Sequence, residues 1–274
     1  MTSLPAAIPV ECTQGRLVRA VAYSTRSGFR PLLADVHRPP VESAPVVLFV
    51  HGGGWRVGSR ESFCPTWQDW SPSPFARLVS AGFAVVSVDY RLSGEAVFPA
   101  QLDDVTAALQ WIRDRAADLG VDAERIVVWG ESAGGHLAAL LGLTATREAP
   151  GAIAGVIDWY GPSDLSAMSS REDPDSREAH LLGATASEAP EVARLASPVA
   201  HVHDAAPPFH LAHGTADEAV PAEQSSRLAE ALREVGASVE LDLVPDAGHL
   251  WRGPVDGERL FNRAVDFARR VTAR

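Results

Sequence analysis

VVWGESAGGHLAALL, residues 127–141, sets a run of small and polar residues, 130–135, between two apolar segments. The first segment is short and rich in β-branched residues, as a strand buried on both faces requires. The second carries Leu137, Leu140 and Leu141 at helical spacing. A strand therefore turns into a helix across Gly-Glu-Ser-Ala-Gly-Gly, with Ser132 at the turn. Glycine on both sides suits a tight, strained corner, because a Cβ at either place would clash with the neighbouring strand or helix. Such a corner lifts a serine hydroxyl clear of the sheet and sets it over a helix N-terminus, where developing negative charge is favoured. In a chain with 22 glycines, G-x-S-x-G arises by chance roughly 0.14 times. Its weight comes from its place at the junction.

Outward from this corner the alternation repeats. Residues 16–24 and 29–38 read as an antiparallel pair around Ser27-Gly28. PVVLFVH (45–51), GFAVVSVDY (82–90), RIVVWG (125–130), AIAGVIDWY (152–160), PPFHLAHG (207–214) and SVELDLV (238–244) read as further strands. Helices are expected over 73–81, over 100–118 on Leu102, Val105, Leu109 and Ile112, after Ser132, over 221–236 and over 256–272. Residues 163–206 are polar and Pro-interrupted, with short helical patches near 176–182 and 188–195. Strand–helix alternation predicts an α/β fold: a mostly parallel sheet of about eight strands with helices on both faces. Sheets of this kind bind ligands beyond the carboxyl ends of their strands.

Three more strand ends carry chemistry. HGGGW (51–55) follows the 45–50 strand, and its glycines leave backbone N–H groups sterically open. Two such donors, with the amide of Ala133, suit an oxyanion hole for a tetrahedral intermediate. His-Gly-Gly-Gly arises by chance on the order of 0.005 times in such a chain, so it is the sharper signal. His51 itself reads as structural. AHGTADEAVP (212–221) places Asp217 after the 207–213 strand, and DAGHLW (246–251) places His249 after the 238–244 strand. A serine hydroxyl needs an imidazole to take its proton and a carboxylate to hold that imidazole. The chain order Ser132, Asp217, His249 is that of an α/β-hydrolase. Glu218 and Asp246 are rival acids, but Asp217 lies closer to its strand end. His249 is the only histidine after the acid. His201 and His203 suggest a metal pair that nothing nearby completes, so a solvated or capping role is expected.

With 274 residues, 46% of them hydrophobic, the chain suffices for one sizeable domain over 1–274. A formal net charge of −11 argues against nucleic acid as a partner. The basic residues are all arginine. Cys12 and Cys64 make neither a disulfide framework nor a metal site and read as incidental reduced thiols. The N-terminal MTSLPAAIPVECT lacks the features of a secretory signal. No stretch of about 18 apolar residues implies a membrane helix. A cytoplasmic protein without a membrane partner is the expectation.

As a set, HGGGW, VDYRLS (88–93), FPAQLDDVTAALQWI (98–112), the GESAGGHLA run, HGTADEAVP (213–221) and GHLW (248–251) resemble α/β-hydrolase esterases. The nearest groups are the hormone-sensitive-lipase-like carboxylesterases and the feruloyl/acetyl-xylan esterase-like branch, over residues 16–272. The resemblance implies Ser132 as nucleophile, Asp217 and His249 as its partners, Gly53, Gly54 and Ala133 as oxyanion donors, and no metal or organic cofactor. Glu131 stands where many lipase-like relatives carry Asp. The long N-terminal helical cap of those relatives is not supplied before residue 45, which leaves 163–206 as the candidate cap or lid. Trp55, Trp159 and Trp251 either line the pocket or simply pack. The expected activity is hydrolysis of short-chain acyl esters of small molecules. Hydrolysis of an arylformamide or other amide by the same residues, and a catalytically inactive small-molecule-binding protein of this fold, are the alternatives.

Overall fold

The computed structural model describes residues 9–12, 15–148 and 153–273. The rest of the N-terminal stretch and the first residue of the segment 152–160 lie outside the described residues, as does the Cys12 side chain. Nine strands form one sheet: β1 (Pro9–Cys12), β2 (Gly15–Ser24), β3 (Leu32–Arg38), β4 (Ala44–Val50), β5 (Ala84–Val88), β6 (Val121–Glu131), β7 (Gly155–Trp159), β8 (Phe209–Gly214) and β9 (Val239–Val244). Their order is β1-β2-β3-β5-β4-β6-β7-β8-β9. The first three strands and the β3–β5 pair are antiparallel; β5, β4, β6, β7, β8 and β9 run parallel. This is the mostly parallel, doubly covered sheet of an α/β-hydrolase. The additional strand, β1, is too short to show a pattern of its own; pairing with β2 defines it.

The central strands read as unbroken apolar runs because both of their faces are covered. Along β4, Val46, Leu48 and Val50 enter one core while Val47 and Phe49 enter the other. The first core is built on α2 (Ala100–Asp114), α4 (Ala133–Glu148) and α7 (Glu223–Glu234), through Val105, Leu109, Leu137, Leu141, Leu228 and Leu232. The second is built on α1 (Pro74–Ser80) and α8 (Gly257–Val271), through Phe75, Leu78, Phe261 and Val265. The helix expected over 100–118 is divided: Arg115 leaves helical geometry, and α3 (Ala116–Leu119) ends at Gly120 in the left-handed region with φ 64°. Residues 163–206 hold α5 (Arg177–Leu182) and α6 (Pro190–Leu195) between short turns. Leu165, Met168, Leu181, Ala193 and Ala196 of this segment are buried in the first core. Among the described residues no helix is long and apolar enough to cross a membrane.

Candidate active site

Every residue singled out at a strand end comes to the same edge of the sheet. Ser132 follows β6 directly and precedes α4. Its φ of 52° lies in the left-handed region, a strained setting for a residue with a side chain. Two contacts hold it there: its N–H donates to Trp159 O at 2.8 Å, and its carbonyl accepts the His136 N–H at 3.0 Å. The flanking glycines are required by close approach. A Cβ on Gly130 would collide with Gly134 O, and one on Gly134 would collide with Val50 O.

Ser132 Oγ lies 3.0 Å from His249 Nε2, and His249 Nδ1 lies 2.7 Å from Asp217 Oδ2. An ionised carboxylate only accepts hydrogen bonds, so Nδ1 carries the imidazole proton and Nε2 offers its lone pair to the serine hydroxyl. Asp217 Oδ1 accepts N–H groups from Ala219 at 2.9 Å and Val220 at 2.8 Å. Burial opposes ionisation of Asp217, but bonds from His213 and His249, the His249 charge and the Val220 N–H outweigh it, holding the carboxyl well below the usual range. His213 donates from Nε2 to Val220 O at 2.8 Å, with Asp217 Oδ2 3.4 Å away, while its Nδ1 meets Ser225 Oγ at 2.7 Å. It therefore braces the loop that presents the acid. The rival acids Glu218 and Asp246 are exposed, and neither bonds His249. His201 donates to the carbonyl of Leu195 at the end of α6, a capping role, and His203 donates to the carbonyl of Leu143 within α4.

The HGGGW loop is fixed from both ends. His51 stacks on Tyr90 with ring centroids 4.3 Å apart, and its Nδ1 bonds Gly52 O at 2.7 Å. Burial pushes His51 down to about 4, which keeps the ring neutral. Gly53 and Gly54 have φ of 103° and 59°, and among the described residues their N–H groups make no hydrogen bond. At the far end Trp55 Nε1 donates to His136 Nδ1 at 3.3 Å, and His136 Nε2 donates to Ala196 O at 2.6 Å. One buried imidazole thus ties the glycine loop, the helix behind Ser132 and the 163–206 segment together.

These residues open onto a cavity of about 500 Å³ lined by Gly53, Gly54, Ser132 and His249 among others. Ala133 is buried behind Ser132 and is not part of the lining. The three tryptophans, open between lining and packing, pack. Trp55 is committed to His136, and Trp159 and Trp251 meet edge to face at 5.5 Å within the second core. Sequence reasoning missed Tyr160, although it stands at the end of β7. Its φ is 43°, its ring lies 4.9 Å from His249, and its hydroxyl donates to Glu131 Oε2 at 2.6 Å. Glu131, next to Ser132 in sequence, is buried at the cavity wall, and burial pushes its carboxyl up to about 7 against the bonds from Tyr160, Cys64 and the Gly52 N–H. Burial pushes the Cys64 thiol up to about 12, so it is an unreactive packing group. Among the described residues no group of three His, Cys, Asp or Glu side chains is disposed to hold a metal.

A family model, BD-FAE, matches residues 34–232, most of the chain. The chain belongs to the BD-FAE family. Its match takes in the HGGGW loop, Ser132 and Asp217 and ends before His249. The chain is similar to Esterase LipQ of Mycobacterium tuberculosis, 34% identical over 238 residues, which cover 81% of this chain and 55% of that protein. It thus spans about half the length of that relative. Among solved structures it superposes on a truncated carbohydrate esterase from gut microbiota with TM-score 0.82 and 28% identity, covering 97% of this chain and 99% of the other. Esterase 2 of Thermogutta terrifontis, phosphonylated by sarin, superposes with TM-score 0.75 and 26% identity, covering 98% of this chain and 96% of the other. BD-FAE membership and these superpositions agree with the α/β-hydrolase sheet.

Proposed function

We propose that the chain is a serine carboxylic-ester hydrolase acting on short-chain acyl esters through an acyl-enzyme. The observation that carries the reading is the continuous relay from Ser132 Oγ through His249 to Asp217, at 3.0 and 2.7 Å, opening into a cavity. In this reading His249 Nε2 takes the hydroxyl proton as Ser132 Oγ attacks the ester carbonyl. The Gly53, Gly54 and Ala133 N–H groups receive the oxyanion; the free N–H groups of the two glycines support that role. Asp217, held ionised, stabilises the imidazolium. His249 then protonates the leaving alcohol, and a water deprotonated by the same nitrogen releases the acid. The 163–206 segment serves as a small cap over this chemistry, a role supported by Arg177 of α5 lining the cavity. The names of the similar proteins support the same reading: an esterase, a carbohydrate esterase, and an esterase phosphonylated by sarin.

Hydrolysis of a series of aryl esters tests this. Acetyl to butyryl esters should be turned over fastest, and N-formylkynurenine far more slowly. Maximal activity on long acyl chains, or a preference for the formamide, would overturn the proposal.

A further inference from the structure

Several arginines of this region are neutralised in place. Arg60 lies 2.8 Å from Asp35 and 3.0 Å from Asp89, Arg91 lies 2.8 Å from Asp104, and Arg30 lies 2.8 Å from Glu95. Arg56 and Arg177 differ. Both line the Ser132 cavity, and among the described residues neither guanidinium has an ion-pair or hydrogen-bond partner.

Their backbones are fixed nonetheless. Arg56 sits in a turn closed by the N–H groups of Arg56 and Val57 on Gly53 O, each at 3.2 Å. Arg177 begins α5 directly after Ser176, whose Oγ accepts the Ala179 N–H at 3.0 Å. The Arg177 stem lies on Gly54 so closely that a Cβ there would run into its Cδ. Three of the acids near Arg177 in sequence are engaged elsewhere: Glu172 lies 3.4 Å from Arg171, Asp173 Oδ1 accepts the Asp175 N–H at 2.9 Å, and Glu178 accepts the Ser170 hydroxyl at 2.9 Å, while the Asp175 carboxylate is exposed and does not line the cavity. Among the described residues Glu131 is the only carboxyl lining the cavity, and it is committed to Tyr160. Val57, Phe63, Pro65 and Leu250 complete an apolar wall.

An apolar wall bearing two unpaired guanidinium groups matches a substrate with an apolar spacer and a terminal anion. A carboxylate is the group whose two oxygens fit the guanidinium fork. We propose that the cavity selects esters carrying a carboxylate remote from the scissile bond, anchored by Arg56 and Arg177. The proposal rests on reading Ser132 as the nucleophile of an ester hydrolase. The reaction is unchanged: the acyl C–O bond breaks, water supplies OH to the acyl group and H to the alcohol, and the remote carboxylate does not react.

Two matched substrate pairs test it. On the acyl side, the 4-nitrophenyl monoester of adipic acid is compared with 4-nitrophenyl hexanoate. On the alcohol side, 3-acetoxybenzoate is compared with its methyl ester. For each pair the ratio of kcat/KM, anionic over neutral, is corrected for the rates in hydroxide and measured in wild type and in Arg56→Gln/Arg177→Gln. At least one pair should show a ratio that falls about tenfold in the double variant, the scale of two partly exposed ion pairs. Arg177→Glu should lower it further, and added salt should erode it in wild type. The responding pair identifies the side of the ester that bears the anion. A ratio unchanged by the substitutions in both pairs overturns the proposal while neutral esters are still cleaved. Failure to cleave either member of either pair overturns the ester-hydrolase reading beneath it.

Discussion

Asp217 places its two carboxylate oxygens on different tasks: Oδ2 meets His249 Nδ1 at 2.7 Å, and Oδ1 takes the Ala219 and Val220 N–H groups. The second task fixes the rotamer that makes the first one available. Asp217→Asn should keep the loop bonds on its carbonyl oxygen but present an amide N–H toward Nδ1, favouring the wrong imidazole tautomer. The expected result is a fall in kcat of about 10⁴-fold with KM little changed, measured on an acetyl aryl ester.

The corner that carries Ser132 depends on close packing of main chain. Gly134→Ala would drive a Cβ into Val50 O, and the expected cost is about 3 kcal/mol by denaturant unfolding. Gly94→Ala is the control. A Cβ there meets nothing within 4 Å, so its stability should stay within about 0.5 kcal/mol of wild type.

Trp55→Phe keeps an aromatic ring but removes the pyrrole part of the buried indole together with its N–H, leaving a small cavity and His136 Nδ1 without its 3.3 Å donor. The expected loss of stability is about 1–3 kcal/mol. Because that bond also anchors the glycine loop, kcat should fall alongside, with a smaller change in KM. Thermal unfolding and steady-state kinetics on one preparation check both.

Asp158, at the end of β7, is pushed up to about 7 by burial, against the His213 charge and the Gly161 N–H. The folded value lies above the unfolded one near about 3.9, so this group's contribution is full below that value and is lost as pH rises through about 7. Buried histidines held low, such as His136 at about 4, act in the opposite direction. The comparison is therefore with Asp158→Asn, which lacks the titration. The difference in Tm between variant and wild type should shift in favour of the variant from about pH 4 to about pH 8. A difference constant across that range would contradict the assignment.

The parallel strands were legible because burial on both faces leaves a continuous apolar signature, as in PVVLFVH and AIAGVIDWY. The strand-end rule then places Ser132, Asp217, His249 and the glycine loop at the carboxyl ends of the parallel strands. Strand β1 was not legible, since four residues carry no period and their place is set by pairing with β2. The tryptophans were ambiguous for a different reason. Trp55, Trp159 and Trp251 flank site residues in sequence, but tight corners at Trp55 and Trp251, with φ of 55° and 57°, turn these side chains into the packing. Tyr160 was missed, and Glu131 was noted in the motif without its partner, because the bond between them arises from a contact across the fold. Only Tyr160 carried a local signal, its position one residue beyond β7.

The central claim is that Ser132 is an activated nucleophile, and labelling with a fluorophosphonate followed by mass spectrometry of the digested chain tests it most directly. The predicted result is one phosphonyl group per chain, carried by the peptide containing Ser132, gained in step with loss of esterase activity and absent from Ser132→Ala. An adduct elsewhere that abolishes activity, or wild-type turnover by Ser132→Ala, would contradict the account.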